Sequence, residues 1–188
     1  MAVTTLDPQI ALIVIDLQNG VVTHPTAHPI DGVVDNAALL AETFRRNGLP
    51  VVLVTVGGAP AGRTEQVRNT AGQLPAGWAD LVPELNQQSG DHTVVKKTWG
   101  AFTNTGLDEH LKNLGVTQVV LAGVATSIGV ESTARHAHEN GYHVTLALDA
   151  MTDTSGEAHA NSVERIFPRL GETGSTQQIV DLLANTRP

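Results

Sequence analysis

The chain has 188 residues, of which 41% are apolar and 3% aromatic, and its formal net charge is −8. This length predicts one domain over residues 1–188, and the acidic balance disfavours nucleic acid and anionic membranes as partners, because both require clustered Lys and Arg. The absence of cysteine excludes disulfide bonds, thiolate metal sites and a thiol nucleophile.

Apolar runs along the chain predict buried strands. They are Ile10–Ile15, Val51–Val56, His92–Val95, Gln118–Ala122 and His143–Leu148. Helical patterns separate several of them, and this alternation predicts a parallel sheet with right-handed crossovers. The N-terminal segment has no basic region and no run long enough to span a bilayer, so we expect a cytoplasmic location.

Capping and breaking residues mark the predicted helices. Asp31 is expected to cap the first helix, and Asn47-Gly48 to end it. Thr176 is expected to cap the last one. The apolar positions expected to face the core are Val33, Ala37, Leu40, Ala41 and Phe44 in the first helix, Leu107, Leu111 and Leu114 in Gly106–Leu114, and Ile179, Leu182 and Leu183 in the last. Segments Ile128–His138 and His159–Phe167 are also predicted to be helical.

A long segment without such periodicity, Gly57–Trp78, is rich in glycine and proline. Loops of this length inside compact domains are commonly functional lids or disordered segments, and we expect a lid here.

Two charged residues stand at the ends of predicted strands. Asp16 directly follows the first apolar run, which is where open α/β sheets form their ligand crevice, although an aspartate there also serves as a turn residue. Lys96 ends the third run, where a lysine is otherwise part of a solvated surface. If strand two separates strands one and three, these strands lie about 10 Å apart. The two side chains can bridge that distance.

The fourth run leads into a turn at a helix N-terminus, where unpaired backbone N–H groups bind anions. Gly129 stands in this turn where a nucleophile would be expected. Ser127 is a poor replacement, because it lies two residues earlier and would face elsewhere.

The segments IDLQN, KKTWGAFTNTGL, GVATSIGVESTA and FPRLGETGST together resemble the isochorismatase-like hydrolase superfamily. Most members have a cysteine nucleophile where this chain has Gly129, whereas isochorismatases proper have glycine. The resemblance implies a three-layer α-β-α sandwich with a six-stranded parallel sheet of order 3-2-1-4-5-6. It also implies a homodimer or homotetramer and a small carboxylated substrate, with no cofactor.

The resemblance assigns roles to individual residues. Asp16 takes the position of the acid/base aspartate, Lys96 that of the catalytic lysine and Gly129 that of the nucleophile. The bond between Val124 and Ala125 is expected to be cis, and amides from Ala125 to Gly129 to polarise substrate oxygens. The predicted substrate-binding residues are Arg68, Trp78, Trp99, Phe102, Val124, Ala125 and Thr126. No metal site is expected, because the TVGGAPAG segment lacks the histidine ligands of the nicotinamidases.

The expected reaction is hydrolysis of a vinyl ether such as isochorismate, to pyruvate and a dihydroxy-cyclohexadiene carboxylate, with Asp16 as the proton donor. Two alternatives stay open. The run Ala125-Thr126-Ser127 resembles the amide hydrolases, so the chain is also consistent with a relative of the nicotinamidase or N-carbamoyl amidase type that has lost its cysteine. The other alternative is a homologue that binds a small molecule without turning it over.

Overall fold

The computed structural model describes residues 3–60, 62–65 and 74–186. Its centre is a six-stranded sheet in which every neighbouring pair is parallel. The strands are β1 (Ile10–Ile15), β2 (Val51–Val56), β3 (His92–Lys96), β4 (Gln118–Val124), β5 (His143–Thr152) and β6 (Glu172–Gly174). Their order, β3-β2-β1-β4-β5-β6, confirms the predicted one.

The α-helices are α1 (Asn19–Val22), α2 (Ile30–Arg46), α3 (Leu107–Asn113), α4 (Glu131–Glu139), α5 (Gly156–Asn161) and α6 (Thr176–Thr186). Shorter helical turns are π-type at Thr126–Val130 and Ser162–Ile166, and 3₁₀-type at Pro83–Leu85 and Phe167–Arg169. Among the described residues, no helix is long and apolar enough to cross a membrane.

Alternate residues of β1 supply two hydrophobic cores, because successive side chains of a strand point to opposite faces. Leu12 and Val14 belong to a core covered by α2 and α6, whereas Ile13 and Ile15 belong to a core covered by α3 and α4. Helices therefore cover both faces of the sheet, and the predicted three-layer sandwich is confirmed.

Two predicted helix caps are wrong. Helix α2 begins at Ile30 with Pro29 at its cap, and Asp31 lies in the first turn, where its charge still favours the helix dipole. In α6 the capping residue is Ser175, whose Oγ accepts from Gln178 N at 3.2 Å while Gln178 Oε1 accepts from Ser175 N at 2.9 Å. This reciprocal pair is a capping box, and it leaves the Thr176 hydroxyl free to donate elsewhere.

The expected apolar face of α3 is only partly correct. Leu107 and Leu111 are fully buried, but Leu114 is 46% exposed because the helix ends at Asn113 and the chain turns away there. In α6, Ile179 and Leu183 are buried as expected.

Strands β3, β4 and β5 are longer at their carboxyl ends than their apolar runs predict. Strand β3 includes Lys96, β4 continues to Val124 and β5 to Thr152. These extensions bring the end of β3, the turn after β4 and the residue after β5, Asp153, to the same edge of the sheet as Asp16.

Candidate active site

Asp16 and Lys96 form a buried ion pair at the carboxyl edge of the sheet. Asp16 follows β1 with a positive φ of 53°, and its N–H donates to Val54 O at 2.8 Å. Lys96 ends β3, in register with Val56 of the intervening β2. Lys96 Nζ donates to Asp16 Oδ2 at 2.6 Å, and their side chains are 2% and 9% exposed. The sequence-predicted bridge across β2 is therefore present.

Burial makes the Asp16 carboxyl group a weaker acid than an exposed aspartate. It raises the pKa of Asp16 from 3.8 to about 6, although the charge of Lys96 and its hydrogen bond lower that pKa. Asp16 Oδ2 accepts from Lys96, whereas Oδ1 is buried and has no hydrogen-bond partner among the described residues. When Asp16 is protonated, Oδ1 is therefore the oxygen that carries an available proton.

Lys96 also retains capacity to bind a ligand. An ammonium group has three N–H donors, and two of those of Lys96 point to Asp16 Oδ2 and to Thr98 O, the latter at 3.3 Å. In the part of the chain that the structure describes, the third has no protein acceptor. A bound anion could accept it.

The turn after β4 brings Gly129 against this pair. The peptide bond between Val124 and Ala125 is cis, as the resemblance implied, and the π-type turn follows directly. A Cβ atom at Gly129 would lie 3.4 Å from Asp16 Oδ2 and 3.0 Å from Ile15 Cγ2. A side chain at position 129 would thus project toward Asp16, and glycine leaves that space open.

Backbone amides of the turn are largely occupied within the protein. Ser127 N donates to Asp153 Oδ2 at 2.7 Å, and Ile128 N and Val130 N both donate to Ala125 O. The sequence predicts that amides between Ala125 and Gly129 polarise a substrate. The amides of Ser127 and Ile128 already have acceptors, so these two are not available for that role.

The predicted aromatic residues occupy different settings. Trp78 is half-buried, and its indole covers Gly20 so closely that a Cβ atom there would lie 2.0 Å from the ring. Trp99 is 51% exposed. The ring of Phe102 packs on Tyr142, between α4 and β5, with 6.0 Å between centroids, so its observed contact is with the core on the α3 and α4 side of the sheet.

Of two further predicted substrate-binding residues, Arg68 and Thr126, the structure describes only Thr126. Arg68 lies outside the described residues, as do positions 61 and 66–73 of the predicted lid. Thr126 is fully buried, and its Oγ1 lies 2.9 Å from His159 Nδ1. Its hydroxyl therefore has a protein partner.

Sequence reasoning missed three buried contacts at this edge. Gln18 joins β1 to β2, since its Oε1 accepts from Val56 N at 2.7 Å and its Nε2 donates to Val56 O at 3.2 Å. Asp153 and His159 hold the turn after β4. Asp153 follows a strand just as Asp16 does. The sequence pattern does not mark it, because the apolar run of β5 stops at Leu148 while the strand continues to Thr152.

Among the described residues there is neither a cluster of metal ligands nor a serine beside an activating histidine at this turn. Within residues 3–60, 62–65 and 74–186, no group of three His, Cys, Asp or Glu side chains is placed to hold a metal ion. Ser127 Oγ donates to Asp153 Oδ2 at 2.8 Å, so its partner is a carboxylate rather than an activating histidine.

Comparison with known proteins places the chain in a family. A family model, the isochorismatase domain, matches residues 10–178. The isochorismatase family protein YwoC of Bacillus subtilis is 42% identical over 180 residues, which cover 91% of this chain and 92% of YwoC. The solved structure of an isochorismatase family protein from Burkholderia thailandensis has a TM-score of 0.90 and 40% identity, over 96% of this chain and 98% of that one.

The chain is also similar, at lower identity, to proteins with other activities in their names. Ureidoacrylate amidohydrolase RutB of Variovorax paradoxus is 31% identical, over 79% of this chain and 70% of RutB. Phenazine biosynthesis protein PhzD of Pseudomonas fluorescens is 27% identical, over 93% of this chain and 87% of PhzD. The family match and the near full-length similarity to YwoC decide the assignment: the chain belongs to the isochorismatase family of hydrolases.

Proposed function

We propose that this hydrolase cleaves a carboxylated vinyl ether, with isochorismate as the first candidate, and that Asp16 is the general acid. The observation that carries the proposal is the buried Oδ1 atom of Asp16, which has no hydrogen-bond partner among the described residues and belongs to a carboxyl group with a pKa of about 6. A carboxyl group of this pKa can hold a proton near neutral pH and deliver it. Gly129 supplies no nucleophile beside it.

The proposed reaction starts with transfer of the Asp16 proton to the methylene carbon of the enol ether. The carbon–carbon double bond supplies the electron pair, and the adjacent carbon becomes an oxocarbenium ion. Water adds to that ion, and its released proton restores the acid form of Asp16. The hemiketal then collapses to pyruvate and the alcohol, a dihydroxy-cyclohexadiene carboxylate for isochorismate. One water is consumed, and no covalent adduct with the protein is needed.

Lys96 has two roles in the proposed reaction. Its third N–H is the donor that would bind the pyruvyl carboxylate, which orients the methylene carbon near Asp16. A carboxylate bound there also offsets part of the Lys96 charge. Because that charge lowers the pKa of Asp16, substrate binding raises the pKa and increases the protonated fraction.

A second candidate is an amide hydrolase relative that has lost its cysteine. The distant similarity to RutB and the run Ala125-Thr126-Ser127 favour it. The geometry at Gly129 is also compatible, because a side chain there would start 3.4 Å from Asp16 Oδ2, within reach of a base. A homologue that only binds a carboxylated molecule is the third candidate.

Pyruvate release from isochorismate, coupled to lactate dehydrogenase, separates these candidates. Wild type is compared with Asp16→Asn, Lys96→Ala and Asp35→Asn, where the last makes the same chemical change on the exposed face of α2. Loss of a general acid costs about 10²–10⁴-fold, so release should collapse in Asp16→Asn and persist in Asp35→Asn.

Two other outcomes favour the remaining candidates. No release by wild type, together with amide hydrolysis by Gly129→Cys but not by wild type, supports the cysteine-less amide hydrolase. Thermal stabilisation by isochorismate without any product supports the binding homologue.

A further inference from the structure

The turn that carries Gly129 is held from one side by residues that the proposed mechanism does not use. We propose that Asp153 and His159, together the β5–α5 clamp, are positioning residues that fix this turn against Asp16. The inference rests on the proposed function for its catalytic consequence, but its structural part is testable without turnover.

The His159 half of the clamp contacts the turn just after its cis bond. Thr126, fully buried, is the second residue after Val124, and its Oγ1 lies 2.9 Å from His159 Nδ1. The ring of His28 packs edge-on against His159, with 4.6 Å between centroids, and His28 Nδ1 lies 3.0 Å from Thr152 Oγ1. The imidazole that holds Thr126 is therefore itself held in place.

The Asp153 half contacts the next residue of the turn. Asp153 is 2% exposed, and its Oδ2 accepts from Ser127 N at 2.7 Å and from Ser127 Oγ at 2.8 Å. Its Oδ1 accepts from Ser155 N at 3.2 Å. Hydrogen bonds to a buried carboxylate are short and strong, so Ser127 is restrained through both its backbone and its side chain.

The clamp acts on catalysis through the position of Gly129. On the far side of the turn, Thr133 Oγ1 donates to Gly129 O at 2.7 Å and accepts from Ala101 N at 3.1 Å. The turn is therefore held by hydrogen bonds at both of its ends, to the clamp and to Thr133. Since Gly129 borders Asp16, a shift of the turn changes the space in which the substrate methylene must meet the Asp16 proton.

The charges around His159 provide a reporter of the contact. Burial lowers the pKa of His159 below 6.5, His28 lowers it further, and Asp153 raises it. Asp149, which lines the adjoining cleft with His28 and His159, is a further titratable group nearby. A titration of His159 can reach the turn through Thr126 and, through its interaction with Asp153, through Ser127, and loss of the Thr126 hydroxyl removes the first of these routes.

Conservative variants test the catalytic part. Thr126→Val removes the hydroxyl while keeping the shape, and Thr126→Ser restores it; His159→Ala removes the ring, and His159→Asn places an amide near the Nδ1 position. We expect kcat to fall about tenfold with KM unchanged in Thr126→Val and His159→Ala, and the Ser and Asn variants to stay within about threefold of wild type. The Val/Ala double variant should be no worse than either single one. Multiplied losses in the double variant, or equal losses in all four single variants, would overturn the proposal.

An NMR titration of the ligand-free protein tests the structural part. The amide resonances of Ser127 and Gly129 should follow the titration of His159 in wild type, with a midpoint below 6.5, and the amplitude of this response should fall in Thr126→Val, where only the route through Asp153 is left. Resonances that ignore His159, or follow it equally in Thr126→Val, would overturn the clamp even if pyruvate is released. Absence of pyruvate release with a positive titration would instead refute the proposed function and leave the clamp intact.

Discussion

The pKa of Asp16 predicts the pH dependence of the proposed reaction. The value of kcat/KM reports ionisations of the free enzyme, in which burial has raised this pKa from 3.8 to about 6. Because the protonated carboxyl group is the reactive form, kcat/KM should be constant below about pH 6 and fall about tenfold per pH unit above it. At pH 8 only about one molecule in a hundred is in the reactive form.

Replacement of Lys96 by methionine is the perturbation that tests this cause. Methionine keeps an unbranched apolar stem but removes the ammonium group that lies 2.6 Å from Asp16 Oδ2. Both the charge and the hydrogen bond of Lys96 lower the pKa of Asp16, so their loss moves the break in kcat/KM to a pH above 6. KM should rise as well, because the substrate carboxylate loses its cation. Lys97→Met is the matched control, since Lys97 is the exposed neighbour.

The assay is pyruvate release with excess coupling enzyme at constant ionic strength, from about pH 5 to about pH 9. The ¹³C resonance of the Asp16 carboxyl carbon in the ligand-free protein gives the same pKa without turnover. A midpoint near 4 would refute burial as the dominant cause. A Lys96→Met break that stays in place or moves to lower pH would refute the assigned effect of Lys96 on this pKa.

Three further predictions concern stability and the space at the turn. A pKa that is raised in the folded state stabilises the protein below pH 3.8, and this effect is lost as pH rises through about 6. The unfolding free energy of wild type minus that of Asp16→Asn/Lys96→Met should therefore fall by about 2 kcal/mol in urea titrations between about pH 4 and about pH 7. The opposite slope would contradict it. Gly129→Cys should fold with some loss of stability, because its Cβ would lie 3.0 Å from Ile15 Cγ2 and 3.3 Å from Val124 O, closer than ordinary van der Waals contact. Its thiol should react with a thiol reagent, and an unreactive folded variant would show that the position is closed. Gly123→Ala should lose at least about 3 kcal/mol in thermal unfolding, since φ is +111° and the Cβ would lie 2.0 Å from a β1 carbonyl oxygen, whereas Gly32→Ala, with nothing within 4 Å, should be neutral or stabilising.

Strands β1, β2 and β4 were predictable because both of their faces are apolar and largely buried. The edge strands β3 and β6 are partly exposed, and no apolar run predicts β6. The carboxyl ends of β3, β4 and β5 were not predictable, and the reason is local composition. Strand propensity is low for Lys96 and Gly123, and Asp149 interrupts the apolar run before Thr152, yet Lys96, Gly123 and Thr152 each pair with a neighbouring strand. Tertiary hydrogen bonds overrode propensity at the edge where the site forms.

The candidate site shows the same division. Asp16 and Lys96 could be placed together from sequence because strand order alone brings their ends to one edge, and the 2.6 Å contact follows from side-chain length. Asp153 could not, because β5 extends to Thr152, beyond its apolar run. His159 could not, because its contact with Thr126 depends on how α5 folds back over the turn. Strand order does not encode that approach.

The absent side chain at Gly129 changes what the raised pKa of Asp16 can accomplish. Beside a cysteine, a carboxyl group with a pKa of about 6 would be mostly ionised at neutral pH and suited to accept the thiol proton. Without a thiol, position 129 has no proton for Asp16 to remove. In the proposed mechanism the Asp16 carboxyl group then acts through its protonated fraction, as the proton donor. A substrate carboxylate on Lys96 enlarges that fraction. One buried ion pair can therefore serve opposite proton transfers, and the residue at position 129 selects between them in the proposed mechanism.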